Sequence, residues 1–311
     1  TRFFKQKKGY PKFKSKHGKQ AATFDDFCFR IKDNQLFLAK CKTPFKVVWS
    51  REMPRIKIPY ATISKNSAGQ YFVSFTCQYE PKKTDGKHVI GVDLGITNLA
   101  VFSDGTQIEN PRHYVKAQEK LARLQQQHAR KQKGSKNREK SRLKIAKHHQ
   151  YIANQRADCL HKLSTKLVRE NQAIVVESLK VSNMLKNHNL AKHIADASWS
   201  EFNRQLVYKT AASQHCKLLY AADFPSTQIC SCCRRRSPEK IVLGVKNWSC
   251  PHCGVYHDRD INAAINLRML GVMNLSIDGF VTSRLAILSH KGDHVQYEMP
   301  PSFEKWPWVA R

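Results

Sequence analysis

Two Cys-x-x-Cys pairs, Cys230/Cys233 and Cys250/Cys253, stand sixteen residues apart, and the string His257-Asp258-Arg259-Asp260-Ile261-Asn262-Ala263-Ala264 follows them closely. Each pair can close a tight knuckle with both sulfurs turned toward one ion, and the residues between supply a hairpin. The spacing predicts a tetrahedral four-cysteine zinc ribbon. Cys232 offers a third thiol in the first knuckle, but two intervening residues favour Cys230 and Cys233. With four protein ligands the zinc site is closed, so one Zn2+ serves as scaffold. Cys28, Cys41, Cys77, Cys159 and Cys216 are scattered and read as small buried side chains.

Charge bounds the partner. The 311 residues carry 54 Lys and Arg against 24 Asp and Glu, a formal net charge of +30. Such an excess repels itself in a compact fold unless a polyanion neutralises it, which points to nucleic acid. At 41% hydrophobic residues the chain can bury a core, and it has no apolar run that would span a membrane. Residues 1–20 hold eight Lys/Arg and no acid, interleaved with Phe3, Phe4, Tyr10 and Phe13. They read equally as a phosphate-binding, base-stacking arm or as a solvated one. Between Arg112 and His148 thirteen Lys/Arg face two Glu, too one-sided a run for mutual salt bridging, so phosphate contact is expected.

Periodicity sets the order of elements. Residues 24–80 alternate as short strands, with hairpins at Asp33-Asn34 and Ser67-Ala68-Gly69-Gln70, and predict a small antiparallel barrel or sheet. A polar linker over 81–87 precedes a buried strand, Val89 to Asp93, and Leu99–Phe102 turns at Asp104-Gly105. Residues 115–170 read as a helical pair broken at Gly134-Ser135, with Ile152, Cys159, Leu163 and Leu167 on one face. Ala173–Glu177 is another buried strand. A helix follows over 198–215 with Trp199, Phe202, Leu206 and Ala212 inward. Lys217–Ala222 is a strand, and a helix runs from Asp260 to Leu270, with Asp258 as its N-cap. Residues 271–311 show no readable period.

Asp93, Glu177 and Asp260 each sit at the end of a core-like strand or the start of a core-like helix. Three acids brought together repel one another and hold raised pKa values unless divalent cations are present. Their hard oxygens suit Mg2+ or Mn2+, and two such ions roughly 4 Å apart activate water and stabilise the leaving oxygen in phosphodiester hydrolysis. Taken singly, each acid also fits a turn or first-turn role. His257 reads as structural or exposed, and Arg259 fits phosphate contact or pairing with an acid.

At these residues the chain resembles a known family. Gly91-Val92-Asp93-Leu94-Gly95-Ile96-Thr97-Asn98 is similar to the first motif of the RuvC-like nuclease domain of TnpB (OrfB) proteins of bacterial insertion sequences. Val175-Val176-Glu177-Ser178-Leu179 resembles the second motif, and the ribbon followed by Asp258-Arg259-Asp260-Ile261-Asn262-Ala263-Ala264 resembles the third. The resemblance implies an RNase H-like fold with a zinc-ribbon insertion, and with the periodicity above it gives an α/β chain of five parts. A basic arm and β-barrel-like domain occupies 1–82, and the first part of an RNase H-like (RuvC) domain occupies 83–227, with the basic helical pair at 115–170. A zinc-ribbon insertion spans 228–256, the last RuvC motif spans 257–270, and a tail runs over 271–311. It implies catalytic carboxylates Asp93, Glu177 and Asp260 holding two Mg2+ or Mn2+ ions. It further implies an RNA-guided DNA endonuclease acting in transposition, with DNA, a guide RNA from the transposon end and the element's own transposase as partners. The implied location is cytoplasmic and nucleoid-associated. The family's N-terminal helical region does not precede Thr1, so the chain is expected to be N-terminally incomplete. Ser178 replaces an acid, Arg234 stands where Gly often follows the second cysteine, and the tail departs from the family. A second class therefore stays open: a nucleic-acid-binding regulator, or a decayed remnant, without catalysis.

Overall fold

The computed structural model describes residues 15, 18, 20–50, 52–53, 57–78, 86–213, 215–242, 244–276, 285–288 and 294–295. Most of the aromatic and basic arm before Gln20 and most of the 81–87 linker lie outside them, as does most of the tail. The chain divides into two compact units, residues 1–80 with 120–151, and residues 81–119 with 152–311.

In the first unit, β1 (Gln20–Asp25), β2 (Phe29–Lys32), β3 (Gln35–Leu38), β4 (Tyr60–Lys65) and β5 (Tyr71–Thr76) form a three-stranded antiparallel sheet, β1-β4-β5, and a separate β2-β3 hairpin. Asp33 and Asn34 both take left-handed backbone, φ 50° and 57°, the geometry that a two-residue hairpin turn needs. No barrel closes among the described residues. β1 pairs with β4, Gln20 opposite Lys65, while β2 pairs with β3, whose Leu36 also bridges to Phe45 outside the named strands. With two independent sheets there is no continuous ladder to seal.

The second unit is built on a mixed sheet of β6 (His88–Asp93), β7 (Asn98–Phe102), β8 (Gln107–Glu109), β9 (Asn171–Glu177), β10 (Lys217–Ala221), β13 (Leu285–Leu288) and β14 (His294–Val295), in the order β14-β13-β10-β9-β6-β7-β8. The central pairs β6–β9 and β9–β10 are parallel, and the flanking pairs are antiparallel. Helices α1 (His113–Ala129) and α2 (Lys136–Glu170) are separated at Gly134-Ser135, where Ser135 Oγ accepts from Arg138 N at 3.1 Å and caps α2. Then come α3 (Val181–Met184), α4 (Ala191–Ala197), α5 (Trp199–Ser213) and α6 (Arg259–Ser276); β11 (Asn247–Ser249) and β12 (Tyr256–Asp258) pair before α6. Among the described residues no helix is long and apolar enough to cross a membrane.

Strand alternation sorts the core into two layers. Ile90, Val92, Ile174, Val176 and Leu218 pack on one face with Leu163 and Leu167 of α2 and with Trp199, Phe202 and Leu206 of α5. Ala173, Val175, Leu219 and Ala221 pack on the other with Leu267 and Leu270 of α6. Ala212, expected inward on α5, is exposed. Six residues past Leu206 is most of two turns but well off its stripe, and Thr210 and Ser213 take the buried positions instead. Asp196 on α4 is a buried tie: both its oxygens accept from Tyr114 N, at 3.0 and 3.1 Å, near the start of α1, and Arg156 of α2 pairs with it at 2.9 Å.

Candidate functional site

The odd positions of β6 and β9 face α6, which puts Asp93 and Glu177 on that side at the carboxyl ends of two neighbouring parallel strands. Val92 pairs with Val176 in register, so Asp93 and Glu177 come next, side by side. Asp260 lies in the first turn of α6, on the same stripe as Ala264, Leu267 and Gly271 (i, i+4, i+7, i+11). That stripe packs on β6. A Cβ built on Gly91 would lie 2.0 Å from Ala264 O and 2.5 Å from Arg268 N. Backbone meets backbone there, and only glycine permits it. Gly91, two residues before Asp93, therefore sets how near α6 brings Asp260 to the strand ends.

Asp258 caps α6 as expected, its Oδ1 accepting from Asp260 N and Ile261 N, both at 2.9 Å. Asp93 senses the other two acids. Burial, then the charges of Glu177 and Asp260, pushes Asp93 up to about 8. Burial also raises Glu177 and Asp260, and Asp258 adds to the rise at Asp260. Arg259 is the cation that opposes this at all three carboxylates. It closes an ion pair with none of them. Its Nη1 instead donates to Val242 O at 3.3 Å, and its Nε is buried without a partner. Among the described residues, the cysteine tetrad is the metal-ligand group whose atoms all lie within 4.8 Å of one another; the three carboxylates stand further apart.

The tetrad is Cys230, Cys233, Cys250 and Cys253, as the spacing predicts. Sγ of Cys230 lies 3.6 Å from that of Cys253, and Cys233 is 3.6 Å from Cys250. Four sulfurs at ~2.3 Å around a tetrahedral ion stand ~3.8 Å apart, so the donor set fits a metal held by four thiolates. Cys232 is exposed and outside the tetrad. The two knuckles repeat one geometry. Cys230 N donates to Arg235 O and Arg234 N to Cys230 O; Cys250 N donates to Val255 O and Gly254 N to Cys250 O. Burial pushes Cys230 up to about 12, whereas the Val255 amide draws Cys253 down to about 7. His257 is structural: buried, with Nε2 3.0 Å from Cys230 Sγ and its ring 5.1 Å from that of Trp248.

The equivalent fifth residues of the two knuckles are Gly254, φ 73°, and Arg234, φ 67°. Left-handed backbone suits glycine and strains arginine. Arg234→Gly should therefore stabilise the ribbon by about 1 kcal/mol, offset in part by loss of the 3.4 Å contact from Arg234 Nη1 to Asn266 Oδ1. Thermal melting of the metal-loaded protein checks this, and a lower melting point would show that the contact outweighs the strain.

Two residues have a role that the sequence reading did not give them. Asn262 and Asn266, one turn apart on the buried face of α6, donate to Ile229 O at 2.7 and 2.6 Å, and Asn266 also reaches Ser226 O at 2.9 Å. Asn262 Oδ1 accepts from Ser231 N at 2.8 Å. They fasten the first knuckle to the helix that carries Asp260. The available signal was a pair of amides at i, i+4 in an otherwise apolar stripe, since buried amides need partners.

Fold and site together define an α/β protein with a four-cysteine metal-binding ribbon set immediately before the helix that carries Asp260. The OrfB_IS605 family, described as "Probable transposase", matches residues 70–188, and the Cas12f1-like TNB domain matches 199–267. A Streptomyces pristinaespiralis protein described as a "Putative RNA-guided DNA endonuclease" is 41% identical over 276 residues, covering 87% of this chain and 67% of its own length. InsQ of Escherichia coli K12, with the same description, is 31% identical over 90% of this chain and 73% of its own. The solved Cas12f1–sgRNA–target DNA complex shares the fold at a TM-score of 0.52 and 12% identity, over 86% of this chain and 67% of that one. The chain belongs to the TnpB (OrfB) family of transposon-encoded RNA-guided nucleases.

Proposed function

We propose that this chain is a metal-dependent, RNA-guided DNA endonuclease acting in transposition, with an RNase H-like (RuvC) catalytic unit. The observation that carries the reading is positional: the β6–β9 register sets Asp93 and Glu177 at neighbouring parallel strand ends, and Asp260 begins the helix that packs on β6 at Gly91. Support also comes from Asp93, which burial first, and the charges of Glu177 and Asp260 second, push up to about 8. Uncompensated negative charge held by the fold is what a site for hard cations requires. Asp93, Glu177 and Asp260 would hold two Mg2+ or Mn2+ ions, which supply an activated water and charge stabilisation at the leaving oxygen. The chain's own contribution is orientation. The β6–β9 register aligns two carboxylates, Gly91 lets α6 bring up the third, and Arg259 tempers their repulsion. The four-cysteine ribbon would hold one Zn2+ as scaffold, and Asn262 and Asn266 pass its rigidity to α6.

DNA and a guide RNA are the proposed partners, with the element's own transposase as a further one. The net charge of +30 supports a polyanion, and the relatives' descriptions name RNA guidance and DNA cutting. In such systems base pairing reads sequence while protein holds backbone, a task suited to the thirteen Lys/Arg between Arg112 and His148. The proposed setting is the cytoplasm, at the nucleoid. Protein loaded with RNA from its transposon end should cut matching DNA in Mg2+, and Asp260→Ala should bind but cut more than about 100-fold more slowly, since even partners outside the ligand set cost 10–100-fold. Wild-type protein that binds guide and target yet never cuts would replace this reading with that of a non-catalytic regulator.

A further inference from the structure

A cleft of about 440 Å3 opens beside Glu177. Residues 177–183, which leave β9 and enter α3, line it together with Trp199, Phe202, Asn203 and Leu206 of α5, and with Leu94 and Tyr220. Its chemistry is unlike the rest of this basic chain. Lys180 is the one cation among the lining residues and Glu177 the one anion. The remaining polar groups are neutral: Ser178, Ser182, Asn183, Ser200 and Asn203. A groove that tracks phosphates is lined with Lys and Arg. Trp199, Phe202 and Leu206 form its buried floor, and the half-buried Tyr220, Leu94, Leu179 and Val181 present its apolar surface; with a few neutral hydrogen-bonding groups beside it, that surface suits a flat, uncharged, polar-edged molecule.

The polar groups are also set in place. The Tyr220 hydroxyl donates to Asn203 Oδ1. That bond fixes the amide and leaves its NH2 to donate to a ligand. Trp199 in the floor keeps a buried indole N–H with no partner.

We propose that this cleft receives the nucleobase of the nucleotide next to the phosphate held at the carboxylates. Cutting then depends on the base at that position, independently of guide pairing. The inference rests on the cleavage reading above, because it takes its position from Glu177. The base lies against the half-buried Tyr220 ring and the side chains of Leu94, Leu179 and Val181, the Asn203 NH2 donates to a carbonyl oxygen or ring nitrogen on its edge, and Lys180 meets an adjoining phosphate. A base lifted from its stack and read by its edge is an established way to reach a reacting nucleotide.

The test uses the full chain with Ca2+ replacing Mg2+, and single-stranded oligonucleotides carrying 2-aminopurine at each position in turn. One position should show a selective fluorescence change. In Mg2+, removing the base there should slow cutting about tenfold or more, the weight of one stacked base. Ser200→Phe, which fills the cleft from an exposed position, and Asn203→Ala should abolish the positional signal and make abasic and intact strands equivalent. Their Mn2+ binding should stay that of the wild type, which shows that the fold is kept. A wild type that cuts with no positional signal would overturn the cleft and leave the cleavage reading standing. A positional signal without cutting would do the reverse. Variants that keep the signal would also overturn the cleft.

Discussion

Cys250→Ser should release the ribbon metal and unfold residues 228–256 as a block, with α6 loosened behind them. Structural zinc contributes about 10–16 kcal/mol in isolated fingers at neutral pH, more than the ribbon's own small core of Trp248 and Ile241 can replace. Cys232→Ser should leave one metal per chain and an unchanged melt, because its side chain is exposed and outside the tetrad. Metal content by chelator assay, read alongside thermal melting, separates the two. Equal metal loss from both variants would mean that Cys232 shares the site. Because Asn262 and Asn266 bind the first knuckle's carbonyls, damage to the ribbon should reach Asp260. The Cys250 variant should therefore also bind Mn2+ more weakly.

The second large effect is a pH dependence. In an unfolded chain an aspartate gives up its proton near 4. In the fold Asp93 keeps it up to about 8. Between those values the folded state binds one more proton than the unfolded state, so this group's contribution to stability falls as pH rises and levels off above about 8. Glu177 and Asp260, also raised, act in the same direction. Each pKa unit is worth about 1.4 kcal/mol, so Asp93 alone costs the fold several kcal/mol at neutral pH when no divalent cation is bound. Asp93→Asn should stabilise zinc-loaded, Mg2+-free protein and flatten its melting profile between pH 5 and 8. Added Mg2+ should raise the wild-type melting point more at pH 8 than at pH 6, because the ion displaces a proton at the lower pH. Parallel profiles for wild type and variant would remove Asp93 from the cluster.

Much of this was readable in the residues because the signals were local. The Cys spacing, the Asp33-Asn34 turn, the Gly134-Ser135 break and the Asp258 cap each depend on a few neighbours, and each was found where expected. What was not readable depends on partners distant in the chain. The pairing of β1 with β4, across the β2–β3 hairpin, leaves no periodic trace, so the strands of the first unit suggested a barrel that does not close. The inward face of α5 failed at Ala212, where composition favoured burial and helical phase did not. The roles of Asn262 and Asn266 depend on carbonyls at 226 and 229 that only the folded ribbon presents. Gly91 lay in plain view within a strand, but which backbone approaches it is a tertiary fact.

The account turns on Asp93, Glu177 and Asp260 acting as one cation site. Counting bound Mn2+ by electron paramagnetic resonance on zinc-loaded protein tests that directly. The expected result is two ions per wild-type chain, with binding weakened in Asp93→Asn, Glu177→Gln and Asp260→Asn alike. Wild-type stoichiometry and affinity retained in any one of the three variants would contradict it.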